Sequence, residues 1–179
     1  MKGCPVTVFY LEINFGEWSG FDMICDPDIT FHKIDQSETI LARDLYQSIG
    51  REWYWADRYD WYLSQWNDRI GKLNVSLWVM YKENEPLGYY ELELQQNDNV
   101  EISYFGLLPG LIGQGLGKYM LMDAFRRSFD DLDASRIWLH TCTLDHPQAL
   151  SNYQSRGMRI YKKKSDIQCI PDDWDLPAY

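Results

Sequence analysis

The sequence predicts an α/β domain, a mixed sandwich of helices and strands around one sheet. Three observations predict it. Strand-like and helix-like segments alternate along all 179 residues, with no linker, internal repeat or low-complexity tract. Three consecutive strand-like segments in the middle are joined by short turns, the pattern of an antiparallel meander. A glycine-rich turn then leads from the last of these strands into a helical pattern. The length suits a single domain over residues 1–179, with residues 1–28 read as an N-terminal extension that adds an extra strand.

The elements follow in order. TVFYLEI (7–13) and ITFHKI (29–34) read as strands, separated by the turn-rich NFGEWSG and CDPD. Asp35 with Glu38 forms a capping-box pattern, after which Leu41, Leu45 and Ile49 recur at helical spacing. A second helix is expected from near Asp57, with Tyr59, Leu63, Trp66 and Ile70 on one face and Gly71 ending it. The meander is VSLWVMY (75–81), LGYYELELQ (87–95) and VEISYFGLL (100–108), turned by KENEP and QNDN. After the glycines comes a helix with Leu121, Phe125, Phe129 and Leu132 on its buried side. SRIWLHTC (135–142) is a strand, HPQALSNYQSR (146–156) a helix, and MRIYKKK (158–164) and DIQCI (166–170) two closing strands.

Composition excludes several classes of function. Acidic residues outnumber basic ones 27 to 17, for a net charge of −10, so a nucleic-acid backbone is not an expected partner. Such a surface suits a cationic small molecule. Cys4, Cys25, Cys142 and Cys169 are widely spaced, with no C-x-x-C pair, and the histidines are His32, His140 and His146. Neither a metal site nor a disulfide framework is expected, and a reducing, cytoplasmic setting fits. Glu12 and Asn14 interrupt the apolar N-terminus, and no run is long enough for a membrane span, so no membrane partner is expected.

The chemistry concentrates in LLPGLIGQGLGKYML (107–121), where Gly113, Gly115 and Gly117 alternate before a helix. Alternate glycines let successive backbone N–H groups face one point and let a ligand approach the main chain. The helix N-terminus adds unsatisfied amides and the positive end of its dipole, which together favour a pyrophosphate. A turn needed only for tight strand–helix packing explains the run equally well. A Walker A loop does not fit, because Tyr119 follows Gly117-Lys118 where a hydroxyl for magnesium is required. A dinucleotide fingerprint needs G-x-G-x-x-G in a βαβ unit, and the spacing and the preceding meander both differ.

Residues 112–117, IGQGLG, resemble the [QR]-x-x-G-x-[GA] signature of the GNAT superfamily of acyl-CoA-dependent N-acyltransferases, preceded by the customary LLP. A second stretch, DHPQALSNYQSRGMRIY, is similar to the family's N-x-x-A-x-x-x-Y-x-x-x-G-[FY] segment, with Ala149, Tyr153 and Gly157 at matching spacings. The two motifs are separated by one helix and one strand, as in the family. Three positions depart from it. Ile112 replaces Gln or Arg, His146 stands where Asn is usual, and Met158 replaces the aromatic.

The resemblance implies a GNAT-like α/β fold, a mixed, mostly antiparallel central sheet with helices on both faces, in which VEISYFGLL and SRIWLHTC run parallel and then splay apart. The pantetheine arm of acetyl-CoA would lie in the gap against main chain of Gly106 and Leu107. Its pyrophosphate would sit on the loop of Ile112, Gly113, Gln114, Gly115, Leu116, Gly117 and Lys118, with His146 nearby. The implied reaction is attack of a primary amine, from a small molecule or a peptide, on the acetyl thioester, with homodimerisation allowed for. Tyr153 aligns with the family's general acid; a buried helix aromatic is the structural alternative. Glu101 resembles the general base of the histone-type branch, with Glu91 and Glu93, in phase on the neighbouring strand, or water as the other options. A solvated strand face accounts for any one of these acids as well. Trp53, Tyr54 and Trp55 fall between the first two helices, where the family builds its acceptor pocket, and aromatic faces attract an ammonium. A non-catalytic acyl-CoA-binding domain is the competing reading.

Overall fold

The computed structural model describes residues 1–20 and 26–175; Cys25 lies outside them. Its strands are β1 (Lys2–Asn14), β2 (Ile29–Lys33), β3 (Val75–Lys82), β4 (Glu85–Gln95), β5 (Asn99–Leu107), β6 (Arg136–Cys142) and β7 (Arg159–Ile170). The helices are α1 (Thr39–Gly50), α2 (Leu63–Ile70), α3 (Leu116–Arg126) and α4 (Ala149–Gln154). The strands form one sheet in the order β2-β3-β4-β5-β6-β1-β7. Only β5 and β6 are parallel; every other neighbouring pair is antiparallel.

Each face of the sheet carries its own core. On α1, Ala42, Leu45, Tyr46 and Ile49 recur at helical spacing and pack with Trp66 of α2 on Leu77, Val79 and Tyr89. On α3, Met120, Leu121, Ala124 and Phe125 pack on the opposite face against Tyr90, Leu92 and Ile102. Burying each such large apolar side chain stabilises the fold by about 1.5–3 kcal/mol, against the entropy of ordering it. The alternation of Tyr89 and Tyr90 between the two cores is the two-residue period of β4 made visible.

Some expectations change. The second helix starts at Leu63, not near Asp57, because residues 57–60 form a turn that buries Arg58 alone of the four. There Arg58 is buried and its N–H donates to the Tyr46 hydroxyl at 3.0 Å. Tyr59, expected on the packed face, is exposed. The third helix ends at Arg126 and widens into a π-turn, Arg127–Asp131, where Phe129 is still buried. The two closing strands are one, β7, held in continuous pairing by β1 from Lys2 to Glu12 with a single irregularity at Tyr10/Leu11. The strand read from the N-terminal extension, β1, runs between β6 and β7 and pairs along both edges.

Candidate active site

The site begins where two parallel strands part. β5 and β6 pair only at Asn99–Arg136, Val100–Ile137 and Glu101–Trp138. Beyond Glu101, β6 stays with β1 while β5 stays with β4. From Ile102 to Leu107, then, one edge of β5 has no strand partner among the described residues. The pairing with β4 slips at the same place: Glu91 faces Tyr104 and Leu92 faces Ile102, leaving Ser103 as an extra residue. Such a bulge bends the strand and re-aims the side chains after it. A cleft of about 540 Å³ occupies the gap, walled by β5 on one side and by β6, Val6 and Val8 of β1 on the other.

At one end of the cleft lies the glycine loop. Gly113 and Gly115 have φ of 88° and 78°, and Gly115 is the N-cap of α3. A Cβ on Gly113 would meet nothing within 4 Å, so packing does not require that glycine; the left-handed backbone does. Among the described residues, no loop or strand carbonyl and no side chain accepts from the amides of residues 112–118. Ile112, Gly113, Gly115, Gly117 and Lys118 line the cleft, whereas Gln114 and Leu116 do not. The Gln114 side chain instead donates to the Gly110 carbonyl at 3.1 Å. Gly106 and Leu107 also line the cleft, but Gly106 has a packing reason too. A Cβ there would approach Ile49 Cγ2 to 2.4 Å and Trp55 Cη2 to 3.0 Å.

Tyr153 reaches the cleft from α4. Its ring packs edge-on to Phe105 at 5.9 Å, within the α3-side core. Among the described residues, no side chain or backbone group hydrogen-bonds its hydroxyl. Burial, followed by the nearby Asp145 carboxylate, pushes the phenol well above its ordinary value, which keeps it protonated. His146 lines the cleft with its ring edge-on to Trp53 at 5.0 Å, and its Nδ1 accepts from the Gln148 N–H at 3.1 Å.

The three in-phase acids have different surroundings. Glu91 is fully buried; Arg58 donates to both of its oxygens at 2.7 and 2.8 Å, and Arg69 donates to one of them at 2.9 and 2.5 Å. Burial pushes its carboxyl up, but the two guanidinium groups outweigh burial and hold it below its ordinary value. A carboxylate so engaged neither takes a proton near neutral pH nor meets an acceptor amine, so the sequence-based reading of Glu91 at the site is corrected to a fold-holding one. Glu93 accepts from Arg69 at 2.5 Å and lies outside the cleft wall. Glu101, at the fork, accepts from Gln95 Nε2 at 2.8 Å. Burial and then the neighbouring Glu93 raise its carboxyl above the ordinary value.

Of the aromatic triplet, Trp53 and Trp55 line the cleft, but Tyr54 does not. Tyr54 has φ of 58° and turns toward Trp174, with ring centroids 6.2 Å apart. Sequence reasoning missed several wall residues. Asp145 accepts from Thr141 Oγ1 at 2.5 Å and from the Cys142 N–H at 3.0 Å, and burial raises its carboxyl. His140, Asn152 and Arg156 also face the gap. Asn152 and Arg156 sit one residue before and three after Tyr153, at positions the motif leaves unspecified. None of these four residues carried a signal in the sequence.

Among the described residues, no helix is long and apolar enough to cross a membrane. Nor does any group of three or more His, Cys, Asp or Glu there have the geometry to hold a metal ion.

Comparison with known proteins agrees with this architecture. No curated protein matches the chain. A GCN5-related N-acetyltransferase from Sphaerobacter thermophilus superimposes with a TM-score of 0.70 at 13% identity, over 92% of this chain and 51% of that one. A GCN5-related N-acetyltransferase from Kribbella flavida gives 0.64 at 14% identity, over 90% and 57%. An aminoglycoside acetyltransferase from an uncultured soil metagenomic sample gives 0.64 at 13%, over 85% and 99%. The chain therefore spans about half to three-fifths of the first two structures and nearly all of the third; at these identities the likeness is one of fold. Residues 39–158, two-thirds of the chain, match the sequence profile of the acetyltransferase (GNAT) family, from α1 through the fork and glycine loop to the end of the Tyr153 segment. The chain belongs to that family.

Proposed function

We propose that the protein is an N-acetyltransferase that moves an acetyl group from acetyl-CoA to a primary amine of a small molecule or peptide. The observation that carries this reading is the Tyr153 phenol, kept protonated and without a hydrogen-bond partner among the described residues, in the gap between two parting strands that ends at the glycine loop. The residues present fit the co-substrate. Among the described residues no loop or strand carbonyl and no side chain accepts from the amides of 112–118, and the left-handed glycines leave open space, as a pyrophosphate requires. Lys118 and Arg156 add positive charge at the wall, and the free edge of β5 offers main-chain groups to an extended arm. Bound there, the co-substrate supplies an activated acyl carbon and a thiolate leaving group.

The chain's own residues supply the rest. Tyr153 gives its proton to the departing sulfur, and the Glu101 side of the fork takes up the proton that an acceptor ammonium must lose. Trp53 and Trp55 supply aromatic walls suited to a cationic group. The structural neighbours that act on aminoglycosides, and on spermidine in Vibrio cholerae, are consistent with such an acceptor.

The test is a turnover screen with acetyl-CoA and polyamines, amino acids, aminoglycosides and peptides with free N-termini, reading released thiol. Amine-dependent thiol release is expected. CoA binding without release from any amine would favour a sensing domain instead.

A further inference from the structure

The acyl-transfer reading needs a group that touches the acceptor ammonium, and Glu101 is set back from the cleft: it is absent from the wall that His140 helps to form. The two face each other across the fork. Glu101 and Trp138 are the last parallel pair, and His140 follows two residues on, on the same face of β6. Glu101 Oε1 lies 4.0 Å from His140 Nδ1. The carboxylate is anchored from behind, since Gln95 donates to it at 2.8 Å while accepting from the Trp138 indole at 3.0 Å. The imidazole is half exposed and rests on the Tyr10 ring of β1, with centroids 5.8 Å apart. With Nδ1 turned to Glu101, Nε2 is the nitrogen left for a substrate.

We propose that His140 takes the proton from the acceptor amine and that Glu101 is its positioning residue, a refinement that rests on the acyl-transfer reading. Nε2 of the neutral imidazole accepts one proton from the ammonium, freeing the nitrogen lone pair. A carbon–nitrogen bond forms and the carbon–sulfur bond breaks. The sulfur takes the Tyr153 proton, and the second nitrogen proton restores the phenol. The imidazolium then releases its proton to solvent, so two protons leave nitrogen and one ends on sulfur.

The charges around the ring suit this path. Glu101 from β5 and Asp145 from the loop after β6 flank it, and Glu93 of β4 lies beyond Glu101. Lys162 of β7 is the opposing charge, 5.0 Å from the centre of the Tyr10 ring on which His140 rests.

The experiment uses the acceptor that releases thiol fastest from the wild-type protein. His140→Ala should keep the wild-type melting shift with CoA and lose about 10²–10⁴-fold in turnover. Added imidazole should restore part of that loss, more strongly as rising pH converts it to the free base. Glu101→Gln should lose less and gain nothing from imidazole. Diethyl pyrocarbonate should carbethoxylate His140, read by peptide mass, and bound CoA should slow it. Full turnover in His140→Ala, a loss confined to Glu101→Gln, or modification indifferent to CoA would each overturn the proposal. His140→Gln, which keeps a polar neighbour for Glu101, replaces the alanine variant should that fail to fold. If the wild type binds CoA but acetylates no amine, the acyl-transfer reading fails first and this one with it.

Discussion

Glu91→Gln separates a carboxylate that holds the fold from one that does chemistry. Glu91 has no exposed surface and accepts four hydrogen bonds from Arg58 and Arg69. Glutamine keeps the shape but removes the charge and turns one acceptor into a donor facing a guanidinium. Arg69 retains Glu93, but Arg58 is buried, and the ring faces around it, Trp61 at 4.7 Å, Tyr104 at 4.3 Å and Trp66 at 5.4 Å, carry no countercharge. Leaving a buried charge unpaired costs about 3–5 kcal/mol. For a domain of this size that lowers Tm by roughly 6–20 °C. Turnover per folded molecule should stay within a few-fold of wild type.

The pH dependence has a definite sign. The folded carboxyl lies below its ordinary value of 4.5, so its stabilisation is fully present above that value and fades as pH falls through the folded one. The gap between wild type and variant should therefore be constant near neutrality and close in acid. Thermal melts followed by circular dichroism from about pH 2 to about pH 8, with steady-state kinetics at neutral pH, measure both. A variant as stable as wild type but catalytically dead would refute the reasoning and return Glu91 to the active site.

Two further outcomes are expected. Gly115→Asp puts a side chain on a residue with φ of 78° and a negative charge into the nest, so it should abolish the CoA melting shift, about 5–11 °C for wild type at a hundred times Kd; an unchanged shift would remove the phosphate role from the loop. Tyr153→Phe should lower kcat and kcat/KM together, by up to about 10²–10⁴-fold, with Tm unchanged because the hydroxyl has no hydrogen bond to lose among the described residues. Full activity with a lowered Tm would make Tyr153 a core residue.

What the sequence determined by itself was local. A left-handed turn entering a helix is written in Gly113, Gly115 and the apolar period after them, because φ preference and helical phase act within a few residues. The Ala149, Tyr153 and Gly157 spacing likewise set one face of α4 and the turn that follows it. The tertiary structure decided what depends on distant partners. Glu91 and Glu101 lie on neighbouring strands, and nothing in their local pattern distinguishes them. Arg58 and Arg69, arriving from 33 and 22 residues away, bury one, while the parting of β5 from β6 leaves the other at a fork. The extra residue at Ser103 that re-aims β5 appears only in its pairing with β4. Trp53, Tyr54 and Trp55 read alike in the chain, yet Tyr54 turns toward Trp174, 120 positions later, while its neighbours line the cleft. His140 and Glu101 meet only because β6 returns parallel to β5, and strand pairing across that separation is fixed by which apolar faces find a common core, a property of the whole sheet.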